Sequence, residues 1–262
     1  MPTANSPSIL KVCNLRVRSA DTQILHGLNL HVQAGEVHAL MGRNGSGKST
    51  FARALVGDPQ CTITGGELEF KDGIDLKEMD VDQRARLGLF LAFQYPVEVP
   101  GLDNNVFLRS AYNAMCEQRG LQPLDALEFD DLIQSEAAKL GVDRKHVYRS
   151  LNADFSGGEK KRNEMLQMAI LLPTLSVLDE IDSGLDIDAL KDVANAINRL
   201  RSKERAMILI THYHRILEHV VPDHVHILDA GRIVASGDAA LAKQVEREGY
   251  EAIIDDRTSP KL

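Results

Sequence analysis

Apolar and polar residues alternate over 9–17, 28–32 and 67–70, the period-two pattern of strands with one face in a core and one in water. The third run ends in Lys71-Asp72-Gly73, a turn sequence, and the three runs together predict a small antiparallel sheet. Between them, Val37–Met41 leads straight into a glycine-rich loop, and a helical pattern follows from Lys48 to about Val56. In the middle third the period changes. Phe107, Ala111 and Ala114 fall at helical spacing within Asn104–Gln118, with Gly120 as the stop, and Ile133, Ala137 and Leu140 repeat the pattern before Gly141. A helical insertion is predicted. Strand and helix then alternate: a strand at 175–178, a helix at about 187–201, a strand at 207–210, a helix from His212, a strand at 225–228, and a turn at Gly231 into 233–235. Such alternation implies a parallel sheet covered by helices. A last helix is expected over 239–249, with a charged, frayed tail after it.

Composition removes several classes of function. The 262 residues are 44% apolar and 26% charged, which is globular usage with enough chain for a real core. The net charge of -8 argues against a nucleic-acid partner, since phosphate backbones select basic surfaces. No apolar run reaches the roughly 18 to 20 residues of a membrane span; the greasiest, 165–178, is broken by Gln167, Pro173, Thr174 and Ser176. Direct membrane insertion is therefore not expected. The opening MPTANSPS lacks signal-peptide order, so a cytoplasmic location is expected. Cys13, Cys61 and Cys116 are odd in number, scattered and without a CxxC, which disfavours a disulfide framework or an all-cysteine metal site.

The loop after Val37–Met41 carries chemistry. Residues Gly42-Arg43-Asn44-Gly45-Ser46-Gly47-Lys48-Ser49-Thr50 fit GxxxxGK[ST] between a strand and a helix, the context that a phosphate loop requires. Glycines let successive N–H groups face an anion, and the helix beginning near Lys48 adds its positive end. Lys48 can reach β and γ phosphates, and the Ser49 hydroxyl can complete a magnesium shell. The apolar run 175–178 ends in Asp179 and Glu180. Carboxylates at the C-terminal edge of a parallel strand face the ligand crevice, so Asp179 is the expected magnesium-side residue. Glu180 can deprotonate a water in line with the γ phosphate.

Phe155-Ser156-Gly157-Gly158-Glu159, some twenty residues before Asp179, resembles the LSGGQ signature of the ATP-binding-cassette (ABC) ATPases. Gln94 after the run 87–93 matches that family's glutamine loop, Ser183-Gly184-Leu185-Asp186 its D-loop, and Thr211-His212 its switch histidine. The resemblance spans roughly residues 8 to 240. It implies an α/β P-loop ABC ATPase fold: a mixed-sheet nucleotide-binding lobe (about 8–94 and 168–240), an antiparallel β subdomain, and an inserted α-helical lobe (about 95–167), with 241–262 as terminal helix and tail. It also implies ATP and Mg2+ as ligands and a transient ATP-dependent head-to-tail dimer. In such a dimer Ser156, Gly157 and Gly158 of one copy would meet the γ phosphate held by the other. Gln94 would contact magnesium or the attacking water, His212 would hold the γ phosphate, and Asp186 would act across the dimer.

Longer strings, at 92–101 (AFQYPVEVPG), 156–168 (SGGEKKRNEMLQM), 182–191 (DSGLDIDALK) and Thr211-His212-Tyr213, resemble the cassette ATPases of the Suf iron-sulfur cluster assembly system. That resemblance implies SufB and SufD as scaffold partners. The alternative function is the ATPase subunit of a membrane transporter. A DNA or ribosome clamp fares worse, because Lys48 and Ser156 stand only 108 positions apart, leaving no room for a long coiled coil, and one cassette is present.

Two departures from the family pattern carry expectations. Residues 15–24 contain no aromatic side chain to stack on adenine, so weak nucleotide binding by the isolated chain is expected. Glu159 replaces the signature glutamine, and Lys160, Lys161 or Arg162 is expected to balance it, on what otherwise reads as a solvated helix face. Residues 95–100 read either as a rigid loop or as a partner-docking segment beside Gln94. Among the nine histidines, His212, His214, His219, His224 and His226 invite a metal reading, and His224 and His226 share a strand face. No acidic or cysteine partner stands at ligand spacing in the sequence, so no metal site is expected there.

Overall fold

The computed structural model describes residues 6–71, 73–212 and 215–258. Asp72 of the expected turn, and Tyr213 and His214 beyond the expected switch histidine, lie outside the described residues. Strands β1 (Ser8–Ser19) and β2 (Thr22–Gln33) pair antiparallel, with Val12 opposite Leu30 and Leu15 opposite Leu28. Strand β3 (Val37–Met41), buried at every residue, feeds the phosphate loop and helix α1 (Lys48–Val56). The chain returns along β1 as β4 (Cys61–Phe70), and the short β5 (Ile74–Asp75) completes a sheet in the order β2-β1-β4-β5.

Helix α2 (Val81–Leu87) precedes β6 (Leu89–Ala92) and is opened by a capping box between Asp80 and Gln83. Its central Arg84 is buried and donates to the carbonyls of Ala54 and Leu55, satisfying the open end of α1. Next come β7 (Val99–Asp103), α3 (Asn104–Gln118), α4 (Ala126–Lys139), α5 (Arg144–Val147), β8 (Ser150–Leu151), which pairs with β7, and α6 (Gly157–Leu171). The remainder alternates: β9 (Leu175–Asp179), α7 (Ile187–Leu200), β10 (Ala206–Thr211), α8 (Arg215–His219), β11 (His224–Asp229), β12 (Arg232–Gly237) and α9 (Ala239–Thr258).

The larger sheet runs β12-β11-β3-β10-β9-β6, parallel except for the edge strand β12. Its central strands are buried on both faces, and their period of two deals side chains to two cores. Val37, Ala39, Met41, Met207 and Leu209 join the core under α7 and α9, whereas Leu40, Ile208, Ile210 and Val177 join the one under α1 and the antiparallel sheet. A third core, with Leu108, Phe129, Ile133 and Val147, holds α3 to α5 together. Helix α6 belongs to both neighbourhoods, giving Leu166 and Ile170 to the third core and Met165, Met168 and Ala169 to the first.

The last helix departs from expectation. Rather than ending at Gly249 it kinks there (φ 79°, ψ 167°) and continues to Thr258, because Tyr250 and Ile253 beyond the kink still pack on the first core. Glycine supplies the left-handed φ at little cost. The helix expected from His212 is the five-residue α8, beginning at Arg215.

Candidate active site

The phosphate loop is shaped by close approaches that only glycine permits. A Cβ on Gly42 would fall 2.2 Å from the Leu228 carbonyl oxygen, and Gly47 combines φ 109° with Leu25 Cδ2 at 2.8 Å from such a Cβ. The loop is tied to its neighbours: Ser46 N–H donates to the Arg43 carbonyl, Gly231 N–H to the Ser46 carbonyl, and the Arg43 side chain pairs with Glu251 of α9 at 2.6 Å. Lys48 is buried at the start of α1, with Nζ donating to the carbonyls of Gly42 (2.8 Å) and Arg43 (3.0 Å). Burial lowers the pKa of its ammonium, against the opposing pull of Glu180 and Asp179.

Asp179, the final residue of β9, is buried and accepts a hydrogen bond from the Ser49 hydroxyl. Burial pushes its pKa up despite that bond, and Glu180 adds to the rise. Its Oδ1 is buried without a hydrogen-bond partner. A buried, unpartnered carboxylate oxygen beside a hydroxyl is a hard oxygen donor set of the kind that magnesium takes.

Glu180 occupies the left-handed region at φ 46°, held by its N–H on the Ile210 carbonyl at 2.8 Å. A non-glycine residue in that region is strained, and such strain collects at functional sites. Its Oε2 accepts from Gln94 Nε2 at 2.5 Å, and its Oε1 lies 3.2 Å from His212 Nδ1. The three side chains come from just beyond β6, β9 and β10, adjacent parallel strands, so they meet where such sheets bind ligands. Asn44, Gly45, Ser49 and Thr50 share one cleft with Lys48, Gln94 and Glu180, and Ile24 stands in its wall on the segment that lacks an aromatic residue.

The structure therefore gathers Lys48, Ser49, Asp179, Glu180, Gln94 and His212. It leaves Ser156, Gly157, Gly158 and Asp186 outside the lining of that cleft. Ser156 caps α6 and Asp186 caps α7, where its carboxylate accepts from Ala189 N–H at 2.8 Å. Asp182 went unremarked as a single residue in the sequence; its Oδ2 accepts from Thr211 Oγ1 at 3.0 Å, bracing the segment that carries His212.

Glu159 and the basic run after it correct the sequence-based expectation. Glu159 folds back over its own helix end: Oε2 accepts from Ser156 N–H at 2.7 Å, and Oε1 lies 3.3 Å from His146 Nε2. The Ser156 N–H, followed by its hydroxyl, holds the Glu159 carboxyl below its ordinary range. None of the three following cations balances it. Lys160 pairs with Glu98 and Arg162 with Asp192, because successive helical residues point in different directions.

Lys161 is buried, not solvated. Its Nζ donates to the carbonyls of Phe93 (2.6 Å) and Gln94 (3.0 Å) and to Glu164 Oε2 (3.2 Å), while Glu164 Oε1 accepts from Phe93 N–H at 2.7 Å. The missed signal is the three-residue spacing of Lys161 and Glu164, which puts opposite charges on one face of the helix. Burial pushes Glu164 up to about 7. A carboxyl raised above its unfolded value contributes stability that is fully present below about pH 4.5 and lost as pH rises through 7. Glu164→Gln keeps the acceptor for Phe93 and removes the titration. Across that window the melting temperature of the native chain is expected to fall relative to the variant, by an equivalent on the order of 3 kcal/mol. Parallel pH profiles of the two proteins would refute this.

Residues 25–183 match the sequence profile described as ABC transporter, and the chain belongs to that family, as an ATPase with the ATP-binding cassette fold. Within it, the chain is 52% identical over 242 residues to the "Probable ATP-dependent transporter SufC" of Escherichia coli (strain K12), covering 92% of this chain and 97% of that one. It is 51% identical over 255 residues to a "Probable ATP-dependent transporter" of Synechocystis sp., covering 97% and 99%. Among solved structures, an ATP binding subunit of an ABC transporter matches with TM-score 0.75 and 24% identity over 96% of this chain and 100% of that one. A dimeric bacterial ABC transporter cassette matches with TM-score 0.75 and 18% identity over 88% and 99%. These last two establish the fold.

Proposed function

We propose that this chain is a magnesium-dependent ATPase, acting in the cytoplasm, that powers iron-sulfur cluster assembly on a soluble scaffold of SufB and SufD. The observation carrying the hydrolytic part is the convergence of Gln94, Glu180 and His212 beside a buried Asp179 oxygen without a partner. The backbone of residues 42–50 cradles the phosphates, and Lys48 exchanges its two carbonyl contacts for β and γ oxygens. Ser49, Asp179 and Gln94 would hold magnesium, which when bound would neutralise charge on the phosphates. Glu180 takes the proton from a water that Gln94 orients, the new P–O bond forms as the bond to ADP breaks, and His212 steadies the γ phosphate.

In this reading one chain holds half a site. Gly157 and Gly158 open α6 outside the chain's own cleft, with Ser156 as the cap, so the three serve the nucleotide of a second copy, and Asp186 acts across the same interface. The inserted lobe, about residues 95–167, would carry partner contacts to the site. Phe93, Tyr95 and Val97 flank Gln94 with exposed apolar surface, Tyr95 at 79%, and an apolar groove lined by Val81, Phe107 and Met115 adjoins them. No helix among the described residues is long and apolar enough to cross a membrane.

The Suf assignment rests on the relatedness to SufC and on the strings at 92–101 and 156–168. Purification of the native chain with its partners tests it. Soluble partners carrying iron would support the assignment. A partner that needs detergent would overturn it in favour of a transporter subunit.

A further inference from the structure

At the end of β3 remote from the phosphate loop, folding assembles what linear spacing concealed. Glu36 stands just before β3, His38 within it, and His224 opens β11, which pairs with β3 in parallel register, His224 beside His38. Glu36 Oε2 lies 2.9 Å from His38 Nε2, and Glu36 Oε1 lies 3.3 Å from His224 Nε2. The acidic partner that the histidines lack in sequence is therefore supplied from 188 positions away.

We propose that Glu36, His38 and His224 form a binding site for one divalent transition-metal ion of the zinc class. Two imidazole nitrogens and a carboxylate, their ligand atoms within 4.8 Å of one another, make a donor set of the type zinc takes, with a fourth position open. Tetrahedral coordination brings ligand atoms to about 3.4 Å apart. Glu36 and His38 are buried and nearly at that spacing, and His224, 45% exposed, has the freedom to close and gives the ion its way in.

The surroundings are arranged as an outer shell orders a metal ligand. His38 Nδ1 lies 2.9 Å from His226 Nε2, and His226 Nδ1 lies 2.8 Å from Ser236 Oγ. With a metal on His38 Nε2, its Nδ1–H donates to His226, which in turn donates to Ser236, so one chain of bonds sets the tautomer. Glu36 is oriented independently, by the Gln33 N–H at 2.7 Å on Oε2. The cluster lies at the start of β3, whereas the phosphate loop follows the strand's other end.

The test uses the full chain, stripped of metal and free of nucleotide, titrated with Zn2+ by calorimetry and with Co2+ by visible absorption. One ion per chain is expected to bind at this site, giving the absorption band of low-coordinate cobalt. His224→Ala and His38→Gln are each expected to weaken it at least tenfold, and His226→Gln by a smaller factor. ATP hydrolysis and the circular dichroism spectrum of His224→Ala should stay unchanged, and this exposed position carries the test alone if His38→Gln fails to fold. Binding undiminished in His224→Ala, or none at roughly 0.1 mM zinc, would overturn the proposal.

Discussion

Glu180→Gln is expected to cut ATP turnover by about 10²- to 10⁴-fold while leaving nucleotide binding intact, the loss typical of removing a positioned general base. The amide is isosteric with the carboxyl, and its oxygen can still accept from Gln94 Nε2, so the cleft keeps its shape. What disappears is the only group in the Gln94–Glu180–His212 cluster able to take a proton from water as an anion. With hydrolysis blocked and ATP still bound, the two-copy sandwich should persist. Phosphate release measured with size-exclusion chromatography in ATP checks both halves of the expectation. Undiminished hydrolysis would remove Glu180 from the role of base.

The second large effect falls on binding. Lys48→Ala is expected to weaken ATP binding on the order of 30-fold or more, the effect of truncating one partner of a desolvated charge pair. Lys48 is 4% exposed, and its ammonium already points across the loop at the Gly42 and Arg43 carbonyls. Phosphate oxygens would replace those carbonyls with a stronger, charge-assisted contact. Titration calorimetry with ATP decides it: an affinity within threefold of the native chain would rule out a phosphate role for Lys48.

How much of this was legible in the sequence depended on whether neighbours along the chain were also neighbours in space. Val37–Met41 and Lys48–Val56 stand where pattern and glycine spacing place them, since strand, loop and helix are local. Asn104–Gln118 follows its apolar spacing in the same way. Helix α2 was not legible, because its buried residue is an arginine whose purpose is to meet carbonyls thirty positions earlier. Lys161 was misread for a similar reason: a lysine in a basic run looks solvated until the Phe93 and Gln94 carbonyls are brought to it. The Glu36–His224 proximity was beyond reach, being a product of which strands lie side by side in the sheet. The end of α9 was misplaced because Gly249 signals a stop, whereas packing of Tyr250 and Ile253 pulls the chain onward.

The grip of Lys161 and Glu164 on Phe93 and Gln94 gives the inserted helices a stiff root. The chain leaves the sheet at β6 and comes back along α6, and these strokes bind each other at the point of exit through both N–H and C=O groups of the backbone. A tether of ordinary loop would stretch under load and absorb a push on α3 or α4. This one is pinned by three hydrogen bonds to the backbone of Phe93 and Gln94, so a push on the helices is expected to reach the Gln94 main chain. A glycine inserted between Phe93 and Gln94 would part the two carbonyls that Lys161 holds and is expected to damage coupling more than one placed in the exposed stretch that follows.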